Sequence, residues 1–338
     1  PTFPALRQSK KLCNSESFDN VQSLNGSTTD GLRHDSASIK LAVVAHLRKS
    51  RVKSVLWCTD FFCDPGSFVV SVSPPELSLA WIPKEFSRVV VVSPHMDDAI
   101  LSCGGLLSLL LKKMECLTVT VCTGDPAVVD PANPPHGIAL PSLRRNEEVA
   151  ALRALGCDLV QLDLLDAIYR TDPRSGRPLY PTMKSIWTMP LDADESQRKA
   201  LCAKLEQYVA RKSGRPTLFI APMGIGHHVD HILCTQVVLS LVESTDQVLL
   251  FEDFPYVVDQ GAHVGVADSG EKALKRLNLV GAQRFEQECN TEQKMEWIAW
   301  YESQIDSIFG SHENVKPLLL KNARNNNTIE RFWKVQKT

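Results

Sequence analysis

No run of 18 apolar residues occurs in this chain, so no segment has the length to cross a bilayer as a helix. None of its ten cysteines forms a Cys-x-x-Cys pair, which excludes the common closed zinc knuckle. No charge sign dominates: 37 Lys and Arg face 39 Asp and Glu, a net charge of −2, and no global field favours nucleic acid or an anionic membrane. Internal repeats are lacking, as is the charged-then-apolar layout of a secretory signal among the first residues. Cys103, Cys116, Cys122, Cys157, Cys202 and Cys234 fall in apolar or helical patterns and read as small buried hydrophobes. A reducing, cytoplasmic setting is the expectation.

What is present is an ordinary globular composition, 43% hydrophobic and 22% charged over 338 residues. Residues 1–38 are polar and rich in Ser, Asn, Asp and Gln, which reads as disordered or weakly ordered. Residues 39–85 form an N-terminal extension of unknown role. Its Arg48, Lys49, Arg51 and Lys53 lie among apolar positions, and a structural extension is preferred there over a membrane-touching amphipathic helix. Residues 86–338 carry the main domain.

From Arg88 the pattern alternates between strands and helices. Arg88–Ser93 (RVVVVS), Leu117–Cys122, Leu159–Leu164, Thr217–Ala221 and Gln247–Phe251 read as strands. Ile100–Lys113, Ser142–Leu155, Glu195–Lys212, Asp230–Leu241, Glu271–Leu277 and Glu292–Ile308 read as helices, with close packing at Gly104-Gly105 and a stop at Gly156. The expected fold is α/β, a Rossmann-like three-layer sandwich around a mostly parallel sheet. No Gly-x-Gly-x-x-Gly follows the first strand, so a dinucleotide is not implied.

Two segments instead carry clustered donors, each shortly after a strand: Ser93-Pro94-His95-Met96-Asp97-Asp98 and Gly226-His227-His228-Val229-Asp230-His231. Four of the nine histidines lie in these two loops, and parallel sheets gather functional loops at the carboxyl ends of their strands. His95 and Asp98, three apart in a turn leading into a helix, can face one point, and His231 can supply a third ligand. Such a set holds a zinc ion with an open position, one per chain, although iron, cobalt or manganese also suit it. Asp97 is left over as an acid–base group. His228 can hold a developing oxyanion, with an acidic neighbour to orient it. His227 reads as a solvent-facing neighbour of the site.

These segments resemble the signature of the PIG-L / LmbE-like zinc-dependent N-acetylglucosaminyl deacetylases, Pro-His-x-Asp-Asp followed by a distant His-x-Asp-His. Weaker echoes run through Arg144-Arg145-x-Glu147-Glu148, Asp166 to Arg170, Glu252-Asp253-x-Pro255-Tyr256 and Tyr301-x-Ser303-Gln304, and look most like the branch associated with sugars and natural products. The resemblance implies His95, Asp98 and His231 as zinc ligands, Asp97 as general base, His228 as oxyanion-holding histidine and Asp230 as its partner. It departs at Ala99, where many members carry Glu. Arg144 or Arg145, Asp166, Tyr169, Arg170 and Tyr256 are expected substrate contacts. The expected activity is hydrolysis of an N-acetyl group on an N-acetylglucosamine-like sugar or glycoconjugate. The alternatives are a zinc amidase acting on a non-sugar amide and a catalytically silent sugar-binding or partner module.

Overall fold

The computed structural model describes residues 82–127, 135–209, 216–243, 245–259 and 268–335. The readings of residues 1–38, and of 39–85 up to position 81, lie outside the described residues, as does the helix reading beyond Val209. The elements run α1 (Ile82–Glu85), β1 (Arg88–Ser93), α2 (Asp98–Leu110), β2 (Glu115–Thr120), α3 (Pro141–Leu155), β3 (Asp158–Gln161), α4 (Glu195–Val209), β4 (Thr217–Pro222), α5 (Val229–Leu241) and β5 (Gln247–Phe251). They continue as α6 (Tyr256–Asp259), α7 (Gly270–Arg276), β6 (Gln283–Asn290), α8 (Thr291–Ile298), α9 (Glu302–Phe309), α10 (His312–Leu320), β7 (Ala323–Arg324) and β8 (Asn327–Val335).

The sheet order is β3-β2-β1-β4-β5-β8-β6, with β7 beside β8. The first five strands pair in parallel. β8 runs antiparallel to both β5 and β6. This is the expected mixed α/β sandwich.

The uninterrupted apolar character of β1 follows from its position. Val89 and Val91 enter one core with Ile100, Leu106 and Leu107 of α2, whereas Val90 and Val92 enter a second core with Leu233 and Val237 of α5. Period-two alternation therefore feeds two helical layers, and each fully buried valine contributes about 1.5–3 kcal/mol before entropic costs. Helix α3 begins with Pro141 at its first turn and ends at Gly156, whose φ of 85° closes the helix through bonds to the Leu152 and Arg153 carbonyls.

One sequence expectation needs correction. The reading of Glu292–Ile308 as one helix fails at Tyr301 (φ −97°, ψ 48°), where α8 gives way to α9. Glu147 of α3 ties the new helix start, accepting from the Ser303 N–H at 2.8 Å and the Ser303 hydroxyl at 2.7 Å. That tertiary cap offsets the lost helical bonds. Strands β6 and β8 carry charged residues that mask their apolar pattern in the sequence. Glu330 of β8 is buried against Lys294 Nζ at 2.6 Å and accepts from the Gly105 and Leu106 N–H groups.

The seven cysteines among the described residues are free thiols, six of them buried and Cys202 half-buried. No helix among the described residues is long and apolar enough to cross a membrane.

Candidate active site

Strand order reverses at β1, which lies between β2 and β4, and this switch point brings the two donor loops together. The first loop leaves β1 and enters α2. Ser93 braces it, donating to the His95 carbonyl at 2.7 Å and accepting from the Ala99 N–H at 3.1 Å. Asp98 Oδ2 closes the turn by accepting from the His95 N–H at 2.9 Å. The second loop leaves β4 and enters α5, which His228 caps: its Nδ1 accepts from the Asp230 N–H at 3.2 Å. The ring proton of neutral His228 consequently sits on Nε2. Burial, together with the His95 and His231 imidazoles, holds the His228 pKa well below its ordinary value.

Asp98 Oδ2 lies 3.3 Å from His95 Nδ1 and 3.4 Å from His231 Nε2. Donors about 2.1 Å from a tetrahedral zinc stand about 3.4 Å from one another, so these separations suit a common metal. His231 Nε2 is buried and lacks a hydrogen-bond partner among the described residues, as a waiting metal ligand would. The far nitrogen of each imidazole faces a buried carboxylate: His95 Nε2 meets Asp230 Oδ2 at 3.2 Å, and His231 Nδ1 meets Asp253 Oδ1 at 2.6 Å. Carboxylates in that position fix the tautomer and raise the basicity of ligating histidines. A wider group of three imidazoles, His95, His228 and His231, is also close enough to share an ion.

Burial opposes the charge of Asp98, but His231 and His95 outweigh it and hold the carboxyl below its ordinary range. Asp97 goes the other way. Burial and the Asp98 charge push it up, against the pull of Arg144, whose Nη2 lies 3.3 Å from Asp97 Oδ2. Adjacent carboxyls thus differ in proton affinity, one suited to bind a cation and one to exchange a proton.

The site opens into a cavity of about 370 Å³. Arg144, Asp166 and Tyr256 line it, together with His95, Asp97, Asp98 and His228. Arg145 does not line it: its guanidinium is turned onto Asp125 at 2.7 Å. Tyr169 and Arg170, expected as substrate contacts, are also absent from the lining. Arg170 is buried between Asp230, which it pairs through Nη1, and Asp194, 3.0 Å from its Nε. The Tyr180 hydroxyl donates to the other oxygen of Asp194. Asp230 therefore meets His228 through its backbone, while its carboxylate serves Arg170, His95 and the Ala167 N–H. His227 is partly exposed beside Arg276 Nη1, at 2.7 Å.

Three contributors escaped the sequence reading. Asp253, which lies in one of the weaker sequence echoes without an assigned role, supports His231 and accepts from the Met223 and Ile225 N–H groups. Asp194 follows no motif. Trp187 reaches the site through an isolated bridge to His228, with ring centroids 4.9 Å from His228 and 5.1 Å from Tyr256. Only its rarity could have flagged it.

Residues 90–242 match the model of the PIG-L family, described as GlcNAc-PI de-N-acetylase. A 2'-N-acetylparomamine deacetylase of Niallia circulans is 28% identical over 269 residues, spanning 73% of this chain and 90% of that protein. Its namesake from Streptomyces fradiae is 29% identical over 226 residues, 65% of this chain and 74% of that protein. The crystal structure of the zinc inhibited form of teicoplanin deacetylase shares the fold, with a TM-score of 0.58 at 24% identity over 74% of this chain and 98% of that one. Residues 90–242, which carry both donor loops, are thus similar to the PIG-L family over somewhat less than half of the chain.

Proposed function

We propose that this chain is a zinc-dependent hydrolase that removes the acetyl group from the 2-amino nitrogen of an N-acetylglucosamine-like sugar or glycoconjugate. The observation that carries the reading is Asp98 Oδ2 standing within 3.4 Å of both His95 Nδ1 and His231 Nε2, with Asp97 beside them on the cavity wall. The curated relatives are named as deacetylases of an acetylated amino sugar, which supports the same reaction class. His95, Asp98 and His231 would hold the ion, which when bound supplies Lewis acidity and a water that ionises near neutral pH.

Asp97 takes the proton of the attacking water and returns it to the amine nitrogen as the C–N bond breaks, releasing acetate and a free amine. Arg144 keeps the Asp97 carboxylate oriented between these two transfers. The Nε2–H of His228 donates to the carbonyl oxygen as negative charge develops there. Asp166 and Arg144, both on the cavity wall, offer an acceptor and a donor to sugar hydroxyls. Free thiols throughout the described core suit a reducing cytoplasm.

The test combines elemental analysis with acetate release from a panel of N-acetylated amino sugars. Wild-type protein is expected to carry about one zinc per chain and His231→Ala little, as an open three-ligand site requires. Asp97→Asn should keep its zinc and lose about 10²–10⁴-fold in acetate release. Full activity in Asp97→Asn, or wild-type protein that takes up no zinc, overturns the assignment.

A further inference from the structure

The cavity has two chemically distinct parts. The charged groups described above cluster where the donor loops meet. Away from them the described lining turns apolar, with Ile138, Ile168, Ile186 and Trp187 on its wall. These four belong to one satellite cluster, centred on the buried Ala167, Ile168, Tyr180, Ile186 and Val229, so they form a continuous surface. Two short 3-10 turns, Ala167–Tyr169 and Met183–Ile186, carry much of it. Apolar exposure continues outward along the same segment: Met183 on the cavity wall is 37% exposed, Met189 is 40% and Leu191 is 44%.

A wall of this kind is costly to leave against water, and its isoleucines offer nothing to a hydroxyl. The polar lining outside the charged donor cluster comes from His136, Tyr256, Gln304 and Ser307, and the Gln304 amide already donates to Ser303 Oγ at 2.7 Å. A second sugar laid along the isoleucines would lose its water bonds without replacement. A hydrocarbon or aromatic group would instead be desolvated at a gain. The methionine adapts to shape, and Trp187 supplies a rigid face next to the His228 ring.

From this we infer that the preferred substrate is two-sided, an acetamido sugar carrying an apolar substituent, and that Trp187 is the residue that selects for that substituent. The inference rests on the deacetylase reading for the sugar end and on the satellite cluster for the apolar end. Trp187 packs roughly perpendicular to both His228 (87°) and Tyr256 (73°) and still lines the cavity, so the side chains at the reacting end hold it in the wall. Its backbone bridge to His228 keeps the wall in register with the reacting end of the substrate.

Calorimetric binding of the octyl and methyl β-glycosides of N-acetylglucosamine tests this, below the octyl compound's micelle-forming concentration. Binding is measured on Asp97→Asn, which is spared turnover. The octyl glycoside should bind about tenfold or more tightly than the methyl glycoside, in proportion to the methylenes buried. Adding Trp187→Ala should remove most of that preference, and adding Trp187→Phe should retain it. Equal binding of the two glycosides, no measurable binding of either, or a preference untouched by Trp187→Ala overturns the inference. Acetate release by wild-type protein is followed in parallel. A Trp187-dependent octyl preference without acetate release from either compound would refute deacetylation and leave the apolar subsite standing.

Discussion

His231 and Asp253 form a buried pair, Nδ1 to Oδ1 at 2.6 Å, that turns the other imidazole nitrogen toward Asp98. Asp253 also accepts from two backbone N–H groups of the loop that carries His228, so one carboxylate fixes both a ligand and its loop. Asp253→Ala should lower zinc affinity by about 10–100-fold, read by competition with a chelator. Glu252→Gln is the control. Glu252 is bonded to Trp333 Nε1 at 2.9 Å and not to the site, and its loss should leave zinc affinity unchanged. Equal effects of the two substitutions would remove Asp253 from this role.

Arg170 joins Asp230 to Asp194 in a buried position, its side chain only 5% exposed. Arg170→Met strands two buried carboxylates and should cost about 3–5 kcal/mol in urea unfolding. Arg170→Lys keeps the charge but cannot reach both partners with a rigid fork, so an intermediate loss is expected. A substrate contact would predict the reverse pattern: a change in KM with stability preserved.

Glu148 is almost fully buried, accepting from the Thr120 hydroxyl at 2.5 Å and the Gln161 amide at 2.8 Å. Burial, opposed by those two bonds, pushes its pKa up to about 7 from an ordinary 4.5. The folded state therefore holds a proton that the unfolded chain releases above its lower pKa. Stability from this group is greatest at low pH, declines as pH rises through the window from 4.5 to about 7, and is level above it. The difference amounts to about 3 kcal/mol. Glu148→Gln cannot titrate, so it should match wild-type protein near pH 5 and exceed it near pH 8 in chemical unfolding. An identical pH slope in the two proteins would show that Glu148 does not titrate there.

Gly104 packs where α2 meets α8 and Gly105 where α2 meets β6, and they are not equivalent. A methyl group at Gly105 would stand 2.5 Å from Cys289 Cβ, an atom fixed by its strand, whereas one at Gly104 would meet the Trp297 ring at 3.1 Å. Alanine gains about 1 kcal/mol of helix propensity over glycine at either position. Gly104→Ala should be nearly neutral in melting temperature. In Gly105→Ala the overlap should outweigh that gain by about 1–3 kcal/mol.

The parallel half of the fold was legible because β1 to β5 are buried on both faces and their apolar runs, such as Val89–Val92, carry the signal locally. The donor loops were legible for a related reason, since His95 with Asp98 and His228 with His231 each cluster within four positions. What escaped depends on partners distant in sequence. Glu330 makes β8 look polar until Lys294, 36 residues away, neutralises it. Asp253 is an ordinary acidic residue until β5 places it beside His231. Arg170 carries the chemistry of a substrate contact, and only the fold, by enclosing it between Asp194 and Asp230, gives it a structural occupation instead.

The neighbouring positions of β1 and β4 tie the site to the folding of the whole sheet. His95 and His231 are 136 residues apart in sequence and meet only when the two strands pair. An ion held by both would close that long loop in the native state alone, so ligand binding free energy becomes folding free energy. Zinc uptake would then serve as a gauge of sheet assembly, and a chain that has folded only its first three strands would carry one half of a clasp.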